Sequence, residues 1–176
     1  LTGVGDVAVL ARFYEDGGAA CVSVVTEPLR GHGSLADLDA VRRAVDVPVL
    51  VHDLIVTPYQ VHEARAHGAD LLVLDARLAP LILESLVERT HSLGMLAVVE
   101  AHTRAEALTA LRLGARAVSV DSRDPRNRRV DPGRFAQVAE VVPAATMRIA
   151  QGGVRGAHDV MEYARAGADV VLVGEA

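Results

Sequence analysis

His52, Asp75, Glu100, Asp121 and Gln151 each stand where an apolar run stops, and they recur at intervals of 23, 25, 21 and 30 residues. The residue types suit proton transfer, because an imidazole can donate or accept near neutral pH and a carboxylate can serve as the base beside it. His52, Asp75, Glu100 and Asp121 are also a donor set that would suit Zn, Mn or Fe if they met at one point, the metal relieving the repulsion among the acids. Gln151 leads into Gly152 and Gly153, and Gly174 follows the last apolar run. Glycines after strands let backbone N–H groups approach an anion closely, as in barrel phosphate sites, although plain tight turns use them equally.

The recurrence has the length of one strand-plus-helix unit, so the elements that position these residues can be read from the periodicity. Short β-branched runs at residues 19–25, 48–51, 70–74, 96–99, 117–120, 147–150 and 169–173 read as strands. Segments of helical spacing at 6–16, 34–45, 58–66, 80–93, 104–113, 132–142 and 157–166 alternate with them. Ser34 with Asp37 three residues on resembles a capping box, and Thr57 before Pro58 gives an N-cap followed by an N1 proline. Gly94, Gly114 and Gly167 fall just before apolar runs, as glycines closing helices do. Such alternation predicts an α/β fold with parallel strands: a (β/α)8 TIM barrel over residues 1–176 as one domain, with a first strand expected before Leu1 and a last helix after Ala176. An open doubly wound sheet is the alternative, disfavoured because the repeats show no switch point.

At 176 residues and 51% hydrophobic, the chain can bury a sizeable core. No apolar run reaches the roughly 18 to 20 residues of a membrane span, and no signal-peptide pattern opens the sequence. A net charge of -5 without a basic cluster argues against nucleic acid and anionic membrane as partners. These features predict a cytoplasmic protein that acts on a small molecule, as a monomer or homodimer. The lone cysteine, Cys21, lies in an apolar run and reads as a buried thiol. All 18 basic residues are arginine, so no lysine in this chain can form a Schiff base or act as a general acid.

Four stretches carry a family resemblance: Gly17-Gly-Ala-Ala-Cys-Val-Ser-Val-Val-Thr-Glu27, Val49-Leu-Val-His-Asp-Leu-Ile-Val-Thr-Pro-Tyr-Gln60, His62-Glu-Ala-Arg-Ala-His-Gly-Ala-Asp70 and Gly167-Ala-Asp-Val-Val-Leu-Val-Gly174. They closely resemble indole-3-glycerol-phosphate synthase, and the resemblance spans essentially the whole chain. It implies a (β/α)8 barrel of tryptophan biosynthesis, a lyase that closes and decarboxylates a carboxyphenylamino-deoxyribulose phosphate without a cofactor. Glu100 matches the family's proton-transfer glutamate, and His52 stands where the family carries its acidic lysine. Asp121 replaces an asparagine and is followed by a matching arginine, Arg123. Gln151, Gly152 and Gly153 stand in place of Glu-Ser-Gly. Leu54 and Gly31 replace phenylalanines, which would thin an aromatic pocket.

The resemblance thus implies Glu100, His52 and Asp121 as catalytic residues. Arg123, Gln151, Asp75 and Leu54 would bind substrate, and Gly152, Gly153, Gly174 and Glu175 would bind its phosphate. Asp75 stands where the family usually has an apolar residue. A carboxylate there would oppose a carboxylated substrate, or one of the two acids would be forced to protonate. Three readings of the site follow: the synthase reaction with His52 as substituted acid, a divalent-metal site, and a repurposed or inactive paralogue that binds a phosphorylated ligand.

Several other polar residues have blander readings. His62 and His67 are spaced for solvated surface positions rather than a metal pair, and Asp53 suits a turn cap or an arginine partner. Arg126 and Arg128 belong to a polar loop, and Arg155 reads as exposed.

Overall fold

The computed structural model describes residues 6–29, 31–124, 126–127 and 129–174. Among them seven helices alternate with seven strands: α1 Val7–Asp16, β1 Val22–Val25, α2 Leu35–Ala44, β2 Val49–His52, α3 Pro58–Ala66, β3 Leu71–Asp75, α4 Pro80–Ser92, β4 Leu96–Ala101, α5 Arg104–Arg112, β5 Ala117–Asp121, α6 Arg134–Ala139, β6 Met147–Gln151, α7 Ala157–Arg165 and β7 Val170–Leu172. They fall into two compact units. The first runs to Leu74 and includes Ser85–Ala97; the second comprises Asp75–Glu84 and the chain from Val98 onward.

In the first unit β1 pairs with β2 and β2 with β3, all parallel. In the second, β4, β5, β6 and β7 pair in chain order, again parallel. Parallel strands linked by helices in chain order are the α/β fold expected from the sequence, seven of the eight strand positions of the (β/α)8 class. The central strands are nearly continuous apolar runs because both their faces are covered: β2, β3 and β5 bury three or four successive residues, and each loses burial at its last one. That last residue is His52, Asp75 or Asp121. Among the described residues no helix is long and apolar enough to cross a membrane.

The helix starts follow the local chemistry. Thr57 and Gln60 form a complete capping box, with Pro58 opening α3. Ser34 also caps α2 by accepting from the Asp37 N–H at 3.1 Å. Its hydroxyl donates to the Asp37 carboxylate at 2.8 Å, so the shorter acid binds the cap side chain rather than the cap backbone. Gly94, Gly114 and Gly167 all have positive φ after a helix, as the sequence implied.

Two element starts differ from the sequence expectation by more than one residue. β1 starts at Val22 rather than at residue 19, because the N–H groups of Gly18 and Ala19 are occupied closing α1 on Glu15 and Tyr14. α6 starts at Arg134 rather than at residue 132, because the Asp131 side chain accepts from Gly133 N and its carbonyl from Arg134 N.

Candidate active site

Within the second unit, Asp75, Asp121 and Gln151 are the last residues of β3, β5 and β6, and Glu100 is the penultimate residue of β4. The parallel register pairs Glu100 with Ser119 and Asp121 with Gln151. Gln151 is buried, 6% exposed, and its side-chain amide donates to Glu100 Oε2. A neutral amide that holds one oxygen of a largely buried carboxylate fixes the direction of the other. Such a carboxylate can accept a proton from a bound molecule without having to be reoriented first.

Asp75 has a partner that the sequence reading did not supply. The Arg77 guanidinium binds both its oxygens, with contacts of 2.5, 2.9 and 3.0 Å, and Arg77 N–H adds a bond at 2.8 Å. Burial pushes the Asp75 carboxyl up, but the hydrogen bonds from Arg77, helped by the charges of Arg77 and His102, outweigh it and hold Asp75 below the usual aspartate range. The expectation of an uncompensated carboxylate at this position is therefore corrected: Asp75 is ionised and its charge is matched within its own turn. Among the described residues no three His, Cys, Asp or Glu side chains are grouped to hold an ion, Asp75 being turned onto Arg77 and Glu100 onto Gln151.

Asp121 and the Gly152-Gly153 pair form one packed turn. Gly152 and Gly153 both have positive φ, +80° and +73°. A Cβ on Gly152 would lie 2.4 Å from Asp121 Oδ1, and one on Gly153 would lie 2.4 Å from Val130 Cγ1. Close packing thus demands both glycines whether or not an anion binds there. Asp121 Oδ1 accepts from Arg123 N–H at 2.8 Å, and Arg134 donates to the Arg123 carbonyl at 2.9 Å. Tyr163 of α7 reaches the same turn: its hydroxyl lies 2.8 Å from both Ser122 Oγ and the Gly152 carbonyl, and its ring packs edge-on against buried Phe135 at 5.5 Å.

Gly174 is exposed, and Glu175 lies outside the described residues, as does Arg128. Arg126 is exposed too. Arg155 is spent on Asp159 at 3.1 Å with an exposed side chain.

In the first unit His52 closes β2 half-buried, paired in register with Val25. Asp53 serves as a cap rather than an arginine partner: it accepts from Leu54 N–H and from the Thr26 hydroxyl, both at 2.6 Å. Leu54 is 59% exposed. His62 is exposed as expected, whereas half-buried His67 lies 2.9 Å from Asp39, so its solvated reading is corrected.

Four residues of the second unit were missed by the sequence reading: Arg77, His102, Glu106 and Tyr163. The i, i+2 spacing of Asp75 with Arg77 and of Glu100 with His102 was available as a signal. Tyr163 had none, since its partners lie 41 and 11 residues away.

The sequence model of the family described as indole-3-glycerol phosphate synthase matches residues 4–176. The chain belongs to the indole-3-glycerol phosphate synthase family. Relatives bearing that family name are 58% identical in Beutenbergia cavernae, 57% in Mycobacterium sp. (strain KMS) and 55% in Mycolicibacterium smegmatis, each over 176 residues and 99% of this chain. The chain spans 65% of the length of these relatives.

Solved structures share the fold at low identity. An N-acetylmannosamine-6-phosphate 2-epimerase from Clostridium perfringens superposes with a TM-score of 0.76 at 19% identity, covering 94% of this chain and 76% of its own. A thiamine phosphate pyrophosphorylase from Pyrococcus furiosus gives 0.73 at 21%, covering 94% and 78%. For the synthase family, these neighbours support the parallel α/β fold and nothing about substrate.

Proposed function

We propose that the protein carrying this chain is an indole-3-glycerol-phosphate synthase: a lyase that closes and decarboxylates a carboxyphenylamino-deoxyribulose phosphate in tryptophan biosynthesis, in the cytoplasm, as a monomer or homodimer. The observation that carries this reading is Glu100, a largely buried carboxylate oriented by Gln151 at the end of β4, in a chain that matches the synthase family from residue 4 to 176. Glu100 is the base, and His52 is the acid in place of a lysine. Asp121, fixed by Arg123 N–H, completes the catalytic set. Arg123, Gln151, Asp75 and Leu54 contact the substrate, and its phosphate is held by Gly152, Gly153, Gly174 and Glu175.

Pairing of Asp75 with Arg77 supports this reading over the repurposed paralogue, because a carboxylated substrate meets a neutralised pair instead of a bare acid. The test is indoleglycerol phosphate formation by the full-length protein, followed by product fluorescence. Wild type is expected to turn over, and Glu100→Gln should lose about 100-fold or more in kcat. His52→Lys should be at least as active as wild type. An inert wild type, or an undiminished Glu100→Gln, refutes the proposal.

A further inference from the structure

His102 stands two residues beyond Glu100, in the turn between β4 and α5. Its side chain is only 8% exposed and lies between two carboxylates, with Nε2 3.9 Å from Glu100 Oε1 and Nδ1 3.7 Å from Glu106 Oε2. Nδ1 is buried without a hydrogen-bond partner. Leaving a buried polar atom unmatched is unfavourable, a cost that an apolar side chain would avoid in the same space. Each gap closes to a hydrogen bond with about 1 Å of side-chain movement.

The two acids differ in what they face. Glu100 is held through Oε2 by Gln151, and its Oε1 lies 3.9 Å from His102 Nε2. Glu106 is anchored from below: its carboxylate accepts the His102 backbone N–H at 2.6 Å, and its own N–H is bonded by Thr103, the N-cap of α5. At 23% exposure against 13% for Glu100, Glu106 is the more solvent-facing of the two. The remaining charges around the ring are Asp75 and Arg77, bound to each other, with Arg77 also within the field of both Glu100 and Glu106.

We propose that Glu100, His102 and Glu106 form a proton relay that returns Glu100 to its carboxylate form after each turnover, with His102 as the positioning residue; this rests on Glu100 being the base of the synthase reaction. The proton that Glu100 takes from the substrate passes to Nε2 of the imidazole. The proton on Nδ1 passes to Glu106 Oε2 and from there to water, one proton entering and one leaving. Exchange with water then returns a proton to Nδ1 and removes the one on Nε2, which restores the starting tautomer.

The test compares full-length wild type, His102→Gln, Glu106→Gln and Glu100→Gln at fixed pH and ionic strength while the concentration of free imidazole is raised. Wild-type kcat should not respond. His102→Gln should lose at least about tenfold in kcat with little change in KM, and recover in proportion to added imidazole, since a mobile base replaces the missing ring. Glu106→Gln should show a smaller loss with the same buffer dependence, and Glu100→Gln should not be rescued. Wild-type kcat in His102→Gln, or a loss that imidazole leaves unchanged, overturns the relay. If His102→Gln does not fold by circular dichroism, Glu106→Gln decides, and lack of buffer dependence there overturns the proposal.

An inert wild type is instead a failure of the synthase reading. The contacts are then read from the 15N resonances of the His102 ring. The Nε2 signal should move in Glu100→Gln and the Nδ1 signal in Glu106→Gln, and unmoved signals overturn the proposal.

Discussion

Replacing Gly152 with alanine tests whether the Asp121 turn depends on close packing as well as on backbone conformation. At φ +80° an alanine sits in left-handed space, which costs about 1 kcal/mol. Its Cβ would also lie 2.4 Å from Asp121 Oδ1 and 3.2 Å from Arg123 Cγ, so the carboxylate must swing away. That movement breaks the 2.8 Å bond from Arg123 N–H to Asp121, a hydrogen bond to a charged group worth about 2 kcal/mol. Gly114→Ala is the control, because Gly114 has φ +83° in the same compact unit and nothing within 4 Å of its added Cβ. It should carry the conformational cost alone.

Gly152→Ala should therefore lose about 3 kcal/mol and Gly114→Ala about 1. With a urea slope of about 2 kcal/mol/M, the two midpoints followed by circular dichroism should differ by about 1 M. Equal midpoints would show that the Asp121 contact carries no energy, and the packing argument for this turn would be refuted.

Three further outcomes follow from the same structure. Burial pushes the Cys21 thiol up to about 11, against a lowering backbone bond from Leu50 and with a smaller push from Asp70, so its thiolate fraction near pH 8 is about 100-fold below that of a free cysteine. Labelling by a thiol reagent should be slower by that factor in the native protein and ordinary in urea, and native labelling at the free-thiol rate would contradict it. Tyr163→Phe should cost about 2 kcal/mol in urea unfolding because it strips a partner from Ser122 and from the Gly152 carbonyl; a loss below about 0.5 would mean that water takes the hydroxyl's place. Asp75, held below the usual aspartate range, contributes stability that is complete above about pH 5 and is lost as pH falls below 4 through its folded value. Asp75→Asn should thus be less stable than wild type at pH 7, by under about 1 kcal/mol for a pair this exposed, with the gap narrowing as pH falls below about 4; a constant gap would refute the linkage.

The elements and their order were legible in the sequence because they depend on short-range pattern. Apolar runs broken by His52, Asp75, Asp121 and Gln151 end where β2, β3, β5 and β6 end, and the Thr57-Pro58 cap opens α3 at the residue expected. The misplaced starts of β1 and α6 also have local causes, but those lie in which backbone groups are already bonded, and composition does not reveal that.

The candidate site was legible as a set of positions and not as a set of interactions. From sequence alone Asp75 was an unmatched acid and His52, Asp75, Glu100 and Asp121 a possible ion site; the folded chain gives Asp75 to Arg77 and Glu100 to Gln151. The sequence alone determined the fold class and the residues that close each strand, since periods of two and 3.6 and the capping residues act over a few positions. Only the tertiary structure decided the partners. Gln151 meets Glu100 across 51 residues and Tyr163 meets Ser122 across 41, and such pairings depend on which strands lie side by side and how far each side chain reaches.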